Sequence, residues 1–211
     1  EWTSNNQPLV IPNSVISIGG EAFSRWLSNN QPLMISNSVT SIGYATFQGW
    51  SSNNHPLVIP NSVTSIGMAA FGSWHSNNQP LVIPNSVTSI SDYAFYEWTS
   101  NNQPLVIPNS VISIGDSAFR NWTSNNHPLV IPDSVTNIEV YAFYGWTSVP
   151  YVEIQAITPP SLSNADAFAE QNNAPIYVPD ESVDDYKTAT NWVDLADRIF
   201  PISDKVTTSN D

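Results

Sequence analysis

Seven tryptophans, Trp2, Trp26, Trp50, Trp74, Trp98, Trp122 and Trp146, stand 24 residues apart without a slip, and each opens a copy of one module. Read down the copies, the module is W-[TS]-S-N-N-[QH]-P-L-V-I-P-N-S-V-T-S-I-G-x-x-A-F-x-x, repeated six times before the register changes after Trp146. A fixed period of this length marks a solenoid, because one unit cannot bury its apolar face alone whereas a stack of units buries a continuous core.

Inside a module, Leu57-Val58-Ile59 is a short apolar run that predicts a strand. Stacked at about 4.8 Å per coil, such runs build a parallel sheet along one side. Pro56 and Pro60 lack an N–H and limit that strand to about three residues. Asn61-Ser62 supplies a turn, and residues 63–66, with Val63 and Ile66 at the ends, suit a second extended segment or a tight turn. Gly67 is expected to permit the bend that follows, Ala70 and Phe71 to point inward, and the last residues to close a 3₁₀ or single helical turn.

Each constant place becomes a ladder of like side chains. Leu81, Ile83, Val87, Ile90 and Phe95 represent the core ladders, each burial contributing about 1.5–3 kcal/mol. The tryptophans are expected at a corner of that core, the alternative being an exposed aromatic strip. Pairs such as Asn53-Asn54 and Asn77-Asn78 are expected to form amide ladders that satisfy turn backbone, the alternative being ligand contact.

Composition narrows the function classes. Eighteen acids against five bases give a net charge of -13, and Arg25 and Arg120 are the only Lys or Arg residues before Trp146. Such a chain is ill suited to nucleic acid or to an anionic membrane surface. Cysteine is absent, which excludes a disulfide framework and a thiolate metal site. No apolar run approaches the roughly 18–20 residues of a membrane span. The chain opens on the last place of a repeat, and reads as a mature or trimmed fragment whose upstream coil, cap or signal is missing.

The segment Val106-Ile107-Pro108-Asn109-Ser110-Val111 followed by Ile114-Gly115-Asp116-Ser117-Ala118-Phe119 resembles the signature of BspA-like leucine-rich repeats. The resemblance covers residues 1 to about 148. Two departures are a tryptophan where that family usually has a cysteine after A-F-x-x, and 24 residues where 23 is commoner. Ser36 for Pro, Ser91 for Gly and Ala45-Thr46 for x-Ala are single-coil irregularities. The resemblance implies a right-handed α/β leucine-rich-repeat solenoid on a bacterial cell surface or secreted, acting in adhesion to a host matrix protein or to another cell.

After Trp146, residues 151–154 continue a strand and Thr158-Pro159-Pro160 breaks it. Ala167-Phe168 echoes the A-F pair, and residues 176–179 read as a last strand. Asp180 is an N-cap candidate for a helix with acids in its first turn, and Trp192, Leu195 and Ile199 share a face of a second short helix. The tail resembles the small α+β C-terminal cap of BspA-like surface proteins, and would cover the last coil's apolar face. Six repeats are therefore assigned to residues 1–148, the cap to 149–202 and a polar, frayed tail to 203–211.

Candidate chemistry is sparse. His55 and His127 replace the glutamines of a polar ladder three coils apart, too distant to share a metal, and His75 has no histidine partner. The serine-rich turns lack a base and an orienting acid, and Asp180, Glu181, Asp184 and Asp185 read as an acidic helix start rather than a calcium loop. The expectation is no enzyme, no cofactor and no metal. Variation between copies concentrates beside the A-F pair, where Tyr93, Tyr96, Tyr141 and Tyr144 recur two coils apart as candidate contacts, with Tyr44 a weaker outlier. The expected partner is a host extracellular or cell-surface protein, or a glycan. The alternatives are a spacer that projects another domain, and a carbohydrate-binding solenoid using regular Asn, Ser and Thr ladders.

Overall fold

Two parallel strand ladders, the first split into three hydrogen-bonded sheets and the second into two, run along the computed structural model, which describes residues 7–205. The first comprises Leu9–Ile11, Leu33–Ile35, Leu57–Val58, Leu81–Val82, a single bridge at Val106, Leu129–Ile131, Val152–Ile154, Ile176–Val178 and Ile199–Pro201. Like pairs with like one coil on: Leu9 with Leu33, Leu57 with Leu81, Leu129 with Val152, Ile176 with Ile199. The strands are two or three residues long because flanking prolines withhold N–H donors. The second ladder is shorter in each coil: Ser17–Ile18, Ser41–Ile42 and Ser65–Ile66, then Ser89–Ile90, Ser113–Ile114, Asn137–Ile138 and Ser161–Leu162.

The interruption in the second ladder falls between Ile66 and Ile90, one residue before Ser91 takes the usual glycine's place. In other coils the amide here bonds the preceding isoleucine carbonyl, as Gly67 N does to Ile42 O at 2.8 Å and Gly115 N to Ile90 O at 2.8 Å. A Cβ built on Gly67 would stand 2.6 Å from the Gly43 carbonyl carbon, so the glycine is kept for close coil approach. At Ser91 the hydroxyl donates to Ile66 O instead, at 2.6 Å. The bend that follows Gly67 has its positive φ at Ala69, two residues later.

The third side of each coil has no strands, yet it is laddered too. Left-handed residues recur twice per coil, as at Ala69 and Ser73, Tyr93 and Glu97, Ser117 and Asn121. Alternating handedness turns every second N–H toward the next coil, so Tyr93, Phe95 and Glu97 donate to Asp116, Ala118 and Arg120 carbonyls at 2.7–2.9 Å. These bonds offset the backbone strain of about 1 kcal/mol or more that a non-glycine residue incurs there.

Inside, the ladders expected as core are core. Trp50, Trp74, Trp98, Trp122 and Trp146 are fully buried and stack at 5.5–5.6 Å within 7° of parallel. Each indole Nε1 also donates to a phenylalanine carbonyl of the preceding coil, as Trp98 does to Phe71 at 2.7 Å. Phe47 to Phe143 stack beside them at 5.5–5.7 Å. The first asparagine of each pair is buried and used twice: Asn101 Nδ2 donates to Gln79 O at 2.9 Å, and its Oδ1 accepts from Gln103 N at 3.0 Å. The second pairs upward, Asn102 N donating to Asn78 Oδ1 at 2.8 Å.

The C-terminal region continues these ladders with different side chains. Gln171 stands where the next tryptophan would, Nε2 donating to Phe143 O at 3.2 Å, and Arg198 serves the rung after it, Nη1 donating to Phe168 O at 2.9 Å. Burial lowers the guanidinium's pKa, yet Ala174 O and Gln171 Oε1 complete its hydrogen bonding at 2.9 Å each. Three sequence expectations are corrected here. Residues 176–178 are not the last strand, since Ile199–Pro201 pairs beyond them. Asp180 does not cap the α-helix, which is Val183–Thr188 behind a 3₁₀ turn; its Oδ1 accepts from Ser203 N at 3.0 Å. The second helix is the 3₁₀ segment Val193–Arg198, so Trp192, Leu195 and Ile199 are buried together without sharing one helix. Ser203 and Asp204 lie in a further 3₁₀ turn, Ile202–Asp204, and Lys205 Nζ meets Glu153 at 2.6 Å; the rest of the expected tail lies outside the described residues.

Candidate binding surfaces

The titratable side chains singled out in the sequence are dispersed. His55 Nε2 lies 3.1 Å from Asn30 O in the polar ladder, and His127 takes the same ladder place, its amide bonded to Asn125 at 3.1 Å. His75 lies 3.3 Å from Glu97, whose carboxylate also accepts from Ser73 at 3.1 Å. Along the second ladder, Asp92 accepts from Asp116 N at 2.9 Å, and Glu139 accepts from Asn137 at 2.8 Å and from the Ser163 hydroxyl. Those two bonds, Ser163 first, hold the Glu139 carboxyl below its ordinary range. Among the described residues, no group of three or more His, Asp or Glu side chains could hold a metal ion.

Two surfaces are left with unused contact chemistry. The first is the outward row of the first strand ladder. Leu and Ile at the strand ends face the core, so the residue between them must face outward, and there stand Val10, Met34, Val58, Val82 and Val106. Val58, Val82 and Val106 are 62%, 59% and 66% exposed. The apolar row then runs into a groove shaped by Pro128, Val130 and Tyr151. Sequence reasoning placed Leu81 and Ile83 in the core and left Val82 out of it, but did not read the middle residues as an exposed row; period-two alternation was the signal available.

The second surface is the variable side, where the four singled-out tyrosines sit, all half-buried. They come as two edge-to-face pairs, Tyr93 with Tyr96 at 5.6 Å and 89°, and Tyr141 with Tyr144 at 5.4 Å and 87°. Tyr96 lies over Gly72, where a Cβ would come within 2.1 Å of its ring, and its hydroxyl accepts from Gln48 Nε2 at 2.8 Å. Tyr93 and Tyr141 hold φ of 57°, a conformation uncommon for bulky residues. Arg120, from the coil between the pairs, places its guanidinium 5.0 Å from the Tyr144 ring centre and 5.4 Å from that of Tyr141. Tyr44 is exposed and stands apart from both pairs.

The family model described as BspA type leucine rich repeat region matches residues 1–125 and 73–186 of this chain. The chain belongs to the BspA-type leucine-rich repeat family. No curated protein matches it. Among solved structures, it is similar to a leucine-rich repeat protein from Bacteroides ovatus ATCC 8483, at 22% identity and a TM-score of 0.48, covering 81% of this chain and 55% of that one. A leucine rich cell surface protein from Faecalibacterium prausnitzii A2-165 matches at 18% identity and a TM-score of 0.42, over 81% and 59%. The pneumococcal vaccine antigen PcpA matches at 16% and 0.35, over 92% and 66%. The BspA-type chain thus spans between 55% and 66% of the length of these structures.

Proposed function

We propose that this BspA-type solenoid is a non-enzymatic binding module displayed on or outside a bacterial cell, docking a protein of a host matrix or of another cell. The exposed valine row carries this reading. A solenoid that only spaced other domains would gain nothing from β-branched apolar side chains at a place where any polar residue keeps the strand, and exposed apolar strips of this kind mark contact surfaces. An aliphatic row with proline flanks suits a protein surface, because it offers no polar array for sugar hydroxyls. Binding through the asparagine ladders is disfavoured, since the buried amides of Asn53, Asn77, Asn101 and Asn125 are already engaged with backbone. The half-buried tyrosine pairs are a second contact face of the same module.

The test is immobilised binding of the purified chain to fibronectin, fibrinogen, collagen and mucin, alongside the triple variant Val58→Thr, Val82→Thr, Val106→Thr and a variant with Tyr93, Tyr96, Tyr141 and Tyr144 changed to Ala. Saturable binding lost in the valine variant supports docking on the strand row. Loss only in the tyrosine variant moves the contact to the variable side, and silence of the parent chain across the panel leaves the spacer reading standing.

A further inference from the structure

Arg120 is unusual within its own chain. Acids outnumber bases by 18 to 5, yet among the described residues no carboxylate lies within 4 Å of its guanidinium; the ion pairs there are His75 with Glu97 and Lys205 with Glu153. Its guanidinium makes no hydrogen bond there either, and the Nε atom is shielded from water without a partner. Glu97, one coil away, turns its carboxylate to Ser73 and His75, and Asp116 accepts from Ser117 at 2.7 Å. The guanidinium lies against the rings of Tyr141 and Tyr144 in two cation–π contacts, and its terminal Nη groups have no hydrogen-bond partner among the described residues. The phenol hydroxyls of Tyr93, Tyr141 and Tyr144 likewise have no hydrogen-bond partner among the described residues, unlike that of Tyr96.

We infer that Arg120, with Tyr141 and Tyr144, forms a binding site for the carboxylate of an acidic sugar. A guanidinium fork presents two parallel N–H bonds to a planar carboxylate, and such charge-assisted bidentate pairs are about twice as strong as neutral ones. A lone aspartate or glutamate would use only that fork. The unpartnered phenols beside it add donors and acceptors for ring hydroxyls, and the aromatic edges give apolar contact for the sugar's C–H face, which together favour a hydroxyl-rich acid over an amino-acid side chain. One cation in an otherwise acidic surface accommodates one carboxylate and repels a dense polyanion. This site is on a different side of the coil from the valine row and stands or falls independently of what that row docks.

The experiment is ligand-observed NMR titration of the 211-residue chain with glucuronic acid, its methyl ester, glucose, and acetylated, amidated glutamate. The expected result is saturable binding of glucuronic acid, weakened at least about tenfold for the ester and for glucose, as for loss of one charge-assisted contact. Arg120→Gln should give the same loss, and Arg120→Lys should fail to restore it because an ammonium lacks the fork. The ester comparison alters only the ligand, so the outcome holds even where a variant folds poorly. Equal binding of glucose and glucuronic acid, undiminished binding by a folded Arg120→Gln protein, or no binding at about 10 mM ligand overturns the inference. Glutamate bound as tightly as glucuronic acid also overturns it, and assigns the site to acidic side chains of a protein.

Discussion

Single side chains in this molecule are multiplied by stacking, so their contributions are specific. Asn101 closes its own turn and binds the carbonyl of the coil before it. Replacing it with Ala leaves the Gln103 amide and the Gln79 carbonyl unpaired in a half-buried place, and the expected cost is about 2 kcal/mol by urea denaturation. A cost under about 1 kcal/mol would mean that water replaces the amide. The glycines divide likewise. Gly67→Ala drives a Cβ into the Gly43 backbone, whereas Gly72→Ala meets only the Tyr96 ring, which can swing out once its bond to Gln48 is given up. The expected order is a loss of about 3 kcal/mol or more for Gly67→Ala and about 1 kcal/mol for Gly72→Ala, the latter largely absent in a Tyr96→Ala background. Much at this scale was legible in sequence: the tryptophan, phenylalanine and asparagine ladders follow from the repeat itself. Illegible were features carried by places where the copies differ, since Ala69, Tyr93 and Ser117 share one left-handed backbone and no common side chain.

At the level of elements, the first strand ladder was readable from its apolar run and the second only as an extended segment or a tight turn, while the second ladder's interruption coincides with a single substitution, Ser91. The C-terminal coils hid best, because Trp146, Gln171 and Arg198 perform one task with three unlike side chains, and only the carbonyls they meet reveal it. Arg198→Met should cost about 3 kcal/mol by leaving Phe168 O, Ala174 O and Gln171 Oε1 without a donor, checked by the shift in urea midpoint at constant m. The same region has an acid-sensitive contact. Burial opposes charge on Glu153, but the Lys205 ammonium and the Gln155 amide outweigh it and hold its carboxyl below the ordinary 4.5. A carboxyl lowered on folding stabilises above its unfolded pKa and loses that contribution as pH falls through the folded value. Stability should therefore decline below about pH 4.5, and Glu153→Gln should show a shallower decline between pH 5 and 3; identical slopes would remove this pair from the acid response.

For the whole molecule, nearest-neighbour stacking sets the behaviour. Each coil bonds chiefly to the coils before and after it, so stability is close to a sum of coil and interface contributions. Excision of residues 74–97 joins Ser73 to Trp98 in unchanged register and removes Ser91 with its ladder break. The expected product is soluble, keeps its circular dichroism per residue and melts a few degrees lower; a molten product would show that this coil cannot be exchanged for its neighbour.

The phenylalanine carbonyls give the rod a direction. In every coil from Phe23 to Phe168 the donor to that oxygen belongs to a later stretch of chain, first an indole, then an amide, finally a guanidinium. On a ribosome, where the N-terminal coils emerge first, the growing stack always ends on a bare acceptor that only the next coil to be synthesised can cover. Arg198 serves the last of these carbonyls, so the stack is finished at its final rung only once residue 198 itself has been synthesised.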